Sequence, residues 1–254
     1  MTSDLFADLE SGRVRAVLPD PSAADGWRVD SAVKEAILDR FRDRRERTWS
    51  PAETFAFVDR ESLAPSTHLP DGVRVVPGGT SIRGGTYLGS GVVVMPPSYV
   101  NVGAWIGPGT MVDSHVLVGS CAQVGAGVHL SAGVVIGGVL EPPGARPVIV
   151  EDDAFVGAGC ILLEGVLVKR GAVLAAGVTL TATTRLYDLG EERVLTGTMD
   201  APLVVPAGSV VIPGTRPLAG AFAAEHGLAA TTAIIVKRRD AGTNARTALE
   251  GALR

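Results

Sequence analysis

The sequence predicts a mainly β protein, a parallel solenoid of short strands and tight turns, and three observations predict it. An aliphatic residue recurs every six positions from Val76 to Ile136 and again from Val150 to Leu180. Glycine recurs three residues behind it, and a small or β-branched residue four behind. The composition agrees: 32 glycines and 16 prolines sit in a chain of 254 residues that is 46% hydrophobic yet only 5% aromatic. Such a mix suits many turns around a core of small aliphatic side chains.

The aliphatic file reads Val76, Ile82, Leu88, Val94, Val100, Ile106, Val112, Val118, Val124, Leu130 and Ile136. After a break it continues as Val150, Val156, Leu162, Val168, Leu174 and Leu180. A period of six excludes an amphipathic helix, whose apolar face returns at three and four. It fits three strands per coil, stacked into a triangular prism in which each coil buries its inner side chains against its neighbours. Glycines such as Gly79, Gly91, Gly109 and Gly133 occupy the place where a tight turn needs positive φ. Two excursions interrupt the register, at 139–147 and 187–203; after the second, Val205-Pro-Ala-Gly-Ser-Val and Val211-Ile-Pro-Gly-Thr-Arg read as two more steps.

The flanks lack the repeat. Residues 1–70 read as a small helical domain: Asp30 opens a segment whose Val33, Ile37, Leu38 and Phe41 have helical spacing, and another short helix is expected near residues 3–10. The charge run Arg40–Arg47 reads as a solvated helix face. Residues 71–215 form the solenoid, and 216–254 a C-terminal extension with a strand at Ala233–Arg239 and a short helix near its end.

A net charge of −4 provides no whole-molecule attraction to nucleic acid or anionic membrane. No apolar run has the roughly 18 residues of a membrane span, and the first residues carry no secretion signal. Cys121 and Cys160 are too few for a disulfide framework. A reduced, cytoplasmic protein is the expectation.

A prism does not dictate an activity. Zinc sites on such prisms use three histidines; here the four histidines, His68, His115, His129 and His226, form no local pair, so no metal is expected. The stretch Met95-Pro-Pro-Ser-Tyr-Val-Asn-Val-Gly-Ala-Trp-Ile-Gly-Pro-Gly-Thr-Met-Val-Asp113 carries a more specific signal. With Val118-Gly-Ser-Cys-Ala-Gln, Ile136-Gly-Gly-Val-Leu-Glu-Pro-Pro, Leu163-Glu-Gly-Val and Thr184-Arg-Leu-Tyr-Asp188, it resembles the tetrahydrodipicolinate N-succinyltransferases, a hexapeptide-repeat family. The resemblance spans roughly residues 70–240.

That resemblance implies a left-handed winding and a homotrimer with active sites between subunits. It also implies transfer of succinyl from succinyl-CoA to the amine of L-2-amino-6-oxopimelate in the diaminopimelate–lysine pathway. By motif it assigns two acids, Asp113 and Glu164, to the chemistry, with Asp113 also binding the substrate ammonium. Arg74 matches a substrate-binding arginine, and Arg185 is a second carboxylate ligand or the partner of Asp188. Lys237 and Arg238 form the basic patch best suited to the CoA phosphates, or a plain charged strand end. The chain departs from the family at His115, where tryptophan is usual. A histidine displayed at that turn points to three outcomes: a bland substitution, an altered acceptor, or a base. His129 is expected to be packed. Two alternatives therefore stand beside the succinyltransferase: a related acyl-CoA N-acyltransferase with another acceptor or an acetyl donor, and a non-catalytic trimeric scaffold.

Overall fold

The computed structural model describes residues 4–52, 55–66 and 69–247. Among them, two-residue strands recur at the predicted period and stack in parallel into three sheets, one per face of a prism. Each strand pairs with those eighteen residues away over most of the stack: Trp105 sits between Tyr87 and Gln123, and Leu117 between Tyr99 and Val135. Face I starts at Arg74–Val75, face II at Ser81–Ile82 and face III at Tyr87–Leu88. The second residue of each strand points inward, so the predicted aliphatic file from Ile82 onward becomes one continuous core, with Val94, Ile106, Val118, Leu130 and Leu162 fully buried. Its first member is corrected, because Val75 and not Val76 pairs with Val94 and packs on that core.

The small positions do more than save space. Ser98 Oγ shares its one O–H between the carbonyls of Met95 and Asp113, each 2.9 Å away, and Thr110 Oγ1 donates to Gly125 O at 2.8 Å. These hydroxyls satisfy turn carbonyls that the ladders leave over, within and between coils.

Both long excursions leave from the edge between faces II and III; at the edge between faces I and II the first coil holds one extra residue, so Arg74 pairs with Val93, nineteen away. The first excursion separates Val135–Ile136 on face II from Ile149–Val150 on face III. The second lies between Thr179–Leu180 and Val204–Val205, and its Leu186–Asp188 and Arg193–Leu195 pair as a hairpin.

The N-terminal part covers face III. Helix α1 (Leu5–Glu10) is capped by Asp4, and helix α2 (Ser31–Arg42) by Asp30, which accepts from Val33 N at 3.2 Å as the sequence indicates. Leu9, Val17 and Ile37 pack with Ile149 and Leu167 in a second apolar cluster. Above Tyr87 and Trp105, stacked 3.7 Å apart, the Arg15 guanidinium lies 4.1 Å from the Trp105 ring and donates to Gln123 at 2.5 Å.

Other details depart from the sequence reading, and the N-terminal part holds paired strands as well as helices. The charge run is not one helix face, because Asp43 turns the chain out of α2 and accepts from Arg45 N at 3.1 Å. Glu46 and Arg47 then enter a strand, Glu46–Ala52, antiparallel to Phe55–Arg60. The step at Val211 is part of a nine-residue strand, Ser209–Pro217, which leaves the coil because Ala229–Arg238 folds back antiparallel on it. Between these strands lies helix α3 (Ala221–Glu225), and helix α4 (Ala241–Thr247) follows. The expected tail strand is present and longer, and position 215 falls inside Ser209–Pro217. His68 lies outside the described residues.

Candidate functional site

Asp113 follows Met111–Val112, so it stands on the edge between faces I and II. Its backbone is held from both sides: its N–H donates to Leu130 O and its carbonyl accepts from Ser98 Oγ, each at 2.9 Å. Oδ1 accepts from Ser114 N at 2.7 Å, which fixes the half-buried carboxylate at the turn. Two residues on, His115 is exposed with φ 60°, in a slot that glycine fills in the coil above. Its N–H donates to Pro97 O at 2.7 Å, and the ring is displayed outward beside Asp113. His129 stacks on Phe155 with ring centroids 4.9 Å apart, which is the packed role expected of it.

Glu164 stands on the other edge of face II, where the turn after Ile161–Leu162 leads to face III. It takes φ 54°, and Gly165 after it takes 74°. Val102, Ser120 and Ala182 hold the same place in other coils and do not adopt positive φ. A glutamate in the left-handed region is strained by roughly 1 kcal/mol or more. Strain at one residue of a regular scaffold is a pointer to function. Its Oε2 accepts from Ala182 N at 3.1 Å, and the rest of the exposed side chain lines a groove of about 630 Å³. The other walls are Leu38 and Phe41 of α2, Gly137–Glu141 of the first excursion, and Met199 of the second. Tyr99, Leu117 and Ser120 line a smaller neighbouring hollow that shares Gly138 and Leu140.

One chain does not bring the two acids together. Ile161–Leu162 lies two coils above the Leu117–Val118 strand that follows Asp113, about 10 Å along the stack. The breadth of face II also separates them. The outer row of that face, Ser81, Tyr99, Leu117, Val135, Ile161 and Thr179, is wholly or partly exposed, with Leu117 at 38%.

The cations are dispersed. Arg74 is exposed at the foot of face I. Arg185 is exposed beyond the last coil, its carbonyl accepting from Thr232 at 2.5 Å. Asp188 pairs instead with Arg238, at 2.7 Å, and with Arg193. Burial raises the Asp188 carboxyl, but the Arg238 hydrogen bond and charge, with backbone N–H groups of Glu191 and Gly190, hold it below its ordinary value. Lys237 pairs with Asp240 at 2.7 Å in the open.

Two inward-pointing cations, Lys34 and Arg146, had no signal in the sequence. Lys34 of α2 is fully buried and donates to Ala145 O at 2.6 Å, so it pins the first excursion. Arg146 sits within that excursion and reaches the Glu164 turn. Both bind backbone carbonyls, which any residue supplies and no motif reveals.

Comparison with known proteins decides the kinship. Residues 147–182 match the model of the hexapeptide repeat of succinyl-transferase. A 2,3,4,5-tetrahydropyridine-2,6-dicarboxylate N-succinyltransferase from Idiomarina loihiensis is 45% identical over 90% of this chain and 80% of its own length. The chain belongs to that N-succinyltransferase family. A member from an Azoarcus species is 42% identical over 99% of this chain and 88% of its own. A Campylobacter jejuni crystal structure assigned as a 2,3,4,5-tetrahydropyridine-2-carboxylate N-succinyltransferase aligns with a TM-score of 0.56 at 17% identity. It covers 91% of this chain, which spans 61% of that longer one, and the likeness speaks for the fold. Within this N-succinyltransferase, no cluster of three or more potential metal ligands occurs among the described residues, and no described helix is long and apolar enough to cross a membrane.

Proposed function

We propose that this protein transfers the succinyl group of succinyl-CoA to the amine of L-2-amino-6-oxopimelate, the opened form of tetrahydrodipicolinate, in the diaminopimelate–lysine route. Kinship at 45% identity over nine-tenths of the chain carries the reading. The amine attacks the thioester carbonyl through a tetrahedral oxyanion; the C–N bond forms, the C–S bond breaks, and CoA leaves as thiolate. The nucleophile must first lose a proton, and the acceptor's carboxylates need cationic partners.

On this reading Asp113 binds the acceptor ammonium and orients or deprotonates it, and Glu164 supplies the second carboxylate. Their places on opposite edges of face II argue that the working site is shared between copies. A left-handed prism in a homotrimer would set the Asp113 edge of one copy against the Glu164 groove of the next. Arg74 and Arg185 are assigned to the acceptor carboxylates. Of the two residues assigned to the CoA phosphates, Lys237 is freer to serve: its exposed ion pair is worth little, whereas Arg238 is tied to the buried Asp188. We divide the chain into an N-terminal cap of helices and paired strands at 1–70, a catalytic prism from 71 into the strand Ser209–Pro217, and an extension beyond that strand, and assign it to the cytoplasm.

His115, exposed beside Asp113, favours one second reading, in which the acceptor is another amino acid. The test is thiol release from succinyl-CoA with L-2-aminopimelate, run beside acetyl-CoA and an Asp113→Asn variant. Succinyl-dependent turnover that falls about 100-fold or more in the variant supports the assignment. Soluble trimer without turnover transfers the assignment to another acceptor.

A further inference from the structure

The Glu164 turn is held from outside its own coil. Arg146, in the first excursion, points its guanidinium into the II/III edge with only 9% of the side chain exposed. Nε donates to Gly165 O at 2.8 Å, Nη2 donates to Pro202 O at 2.9 Å in the second excursion, and Nη1 pairs with Asp25 of the N-terminal part. The backbone fits as closely: a Cβ on Gly165 would lie 2.5 Å from the Arg146 carbonyl oxygen. Gly165 is the second of the two left-handed residues that aim Glu164 into the groove.

We propose that Arg146, with Asp25 as its counter-ion, is a positioning residue that keeps Glu164 in its strained turn and sets the rate of the transfer step. The proposal rests on the reading of Glu164 as the second carboxylate. Three segments that the chain keeps far apart meet on one planar fork, and all three of its nitrogens are engaged. Without it, nothing else described from outside the coil bonds the Gly165 carbonyl, and a glutamate in the left-handed region is free to relax. A lysine keeps the charge but offers a single head and cannot bridge the three acceptors.

The experiment is a double-mutant cycle on the full-length protein, with succinyl-CoA and L-2-aminopimelate, across Arg146→Lys, Glu164→Gln and the pair. Arg146→Lys should lower kcat about 100-fold, as small displacements of a catalytic group do. KM for succinyl-CoA should stay within about twofold. Placed on Glu164→Gln, the same change should cost nothing further, because its effect passes through that carboxylate. Amide exchange should quicken at Glu164–Val166 and not at the coils around Val112. Losses that multiply in the pair, or a kcat within about twofold of native in Arg146→Lys, would overturn the proposal. Should Arg146→Lys fail to assemble, Asp25→Asn, nearly the same shape without the charge, carries the same cycle and is judged alike. Full turnover in Glu164→Gln alone removes the role of Glu164 itself and with it the proposal, a result separable because it involves no change at Arg146.

Discussion

Gly107 has no room for a methyl group. A Cβ there would lie 2.5 Å from the Gly125 carbonyl carbon and 2.6 Å from Ala126 N, backbone atoms of the coil above that cannot swing aside. Gly107→Ala should therefore destabilise the protein by about 1–3 kcal/mol, read as a lower melting temperature with the fold retained. The two cysteines are the opposite case, side chains with space and no access. Burial pushes the Cys121 thiol up to about 12, against the pull of the Lys34 ammonium, and the Cys160 thiol up to about 11. Both should ignore a thiol reagent such as Ellman's in the native protein at neutral pH and react once the chain is unfolded. Labelling of either in native protein would contradict the burial. At this scale the sequence was half legible. Asp113 and Glu164 were nominated by motif, but the strain at Glu164 had no signal, since a glutamate before a glycine reads as an ordinary turn.

The strands were legible because each inward side chain repeats under one geometric rule, and that rule survives an inserted loop. The excursions were legible only as interruptions. Their hold on the rest of the chain runs through Lys34 and Arg146 to carbonyls, and a cation in a loop ordinarily reads as solvated. The hairpin Leu186–Leu195 is held in a similar way, by the buried Asp188 and its ion pair with Arg238. Because the folded Asp188 lies below its ordinary 3.8, the stability it contributes is present in full above about pH 4. That contribution is lost as the pH falls further, through the folded value. Asp188→Asn should accordingly flatten the acid limb of stability, measured as urea midpoints at fixed protein concentration between about pH 3 and 5. An unchanged acid limb would count against the pair.

For the whole molecule, the separation of Asp113 from Glu164 makes a prediction that no single-chain site shares. Asp113→Asn and Glu164→Gln chains, each inactive alone, should regain activity when assembled together. Where an Asp113 from one copy meets a Glu164 from the next, random mixing restores about a quarter of the interfaces. Mixed assemblies that remain as inactive as the parents would place the whole site in one chain. The sequence predicted the prism and its kinship, yet not that both excursions and α2 would converge on one edge. Convergence of that kind depends on which corner of the coil an insertion leaves from, and the repeat looks alike at all three.

The strand Ala229–Arg238, which folds back on Ser209–Pro217, has a consequence for how the protein behaves in bulk. Beyond the last coil, face I would otherwise end in a row of unpaired backbone groups, a ready template for the first strand of another molecule. The returning strand and the hairpin beside it close that row. They act as an end-stop, so the stack has a definite length. A chain cut after Pro217 should lose the stop and grow head to tail into filaments, visible as rising light scattering and as fibres under the electron microscope.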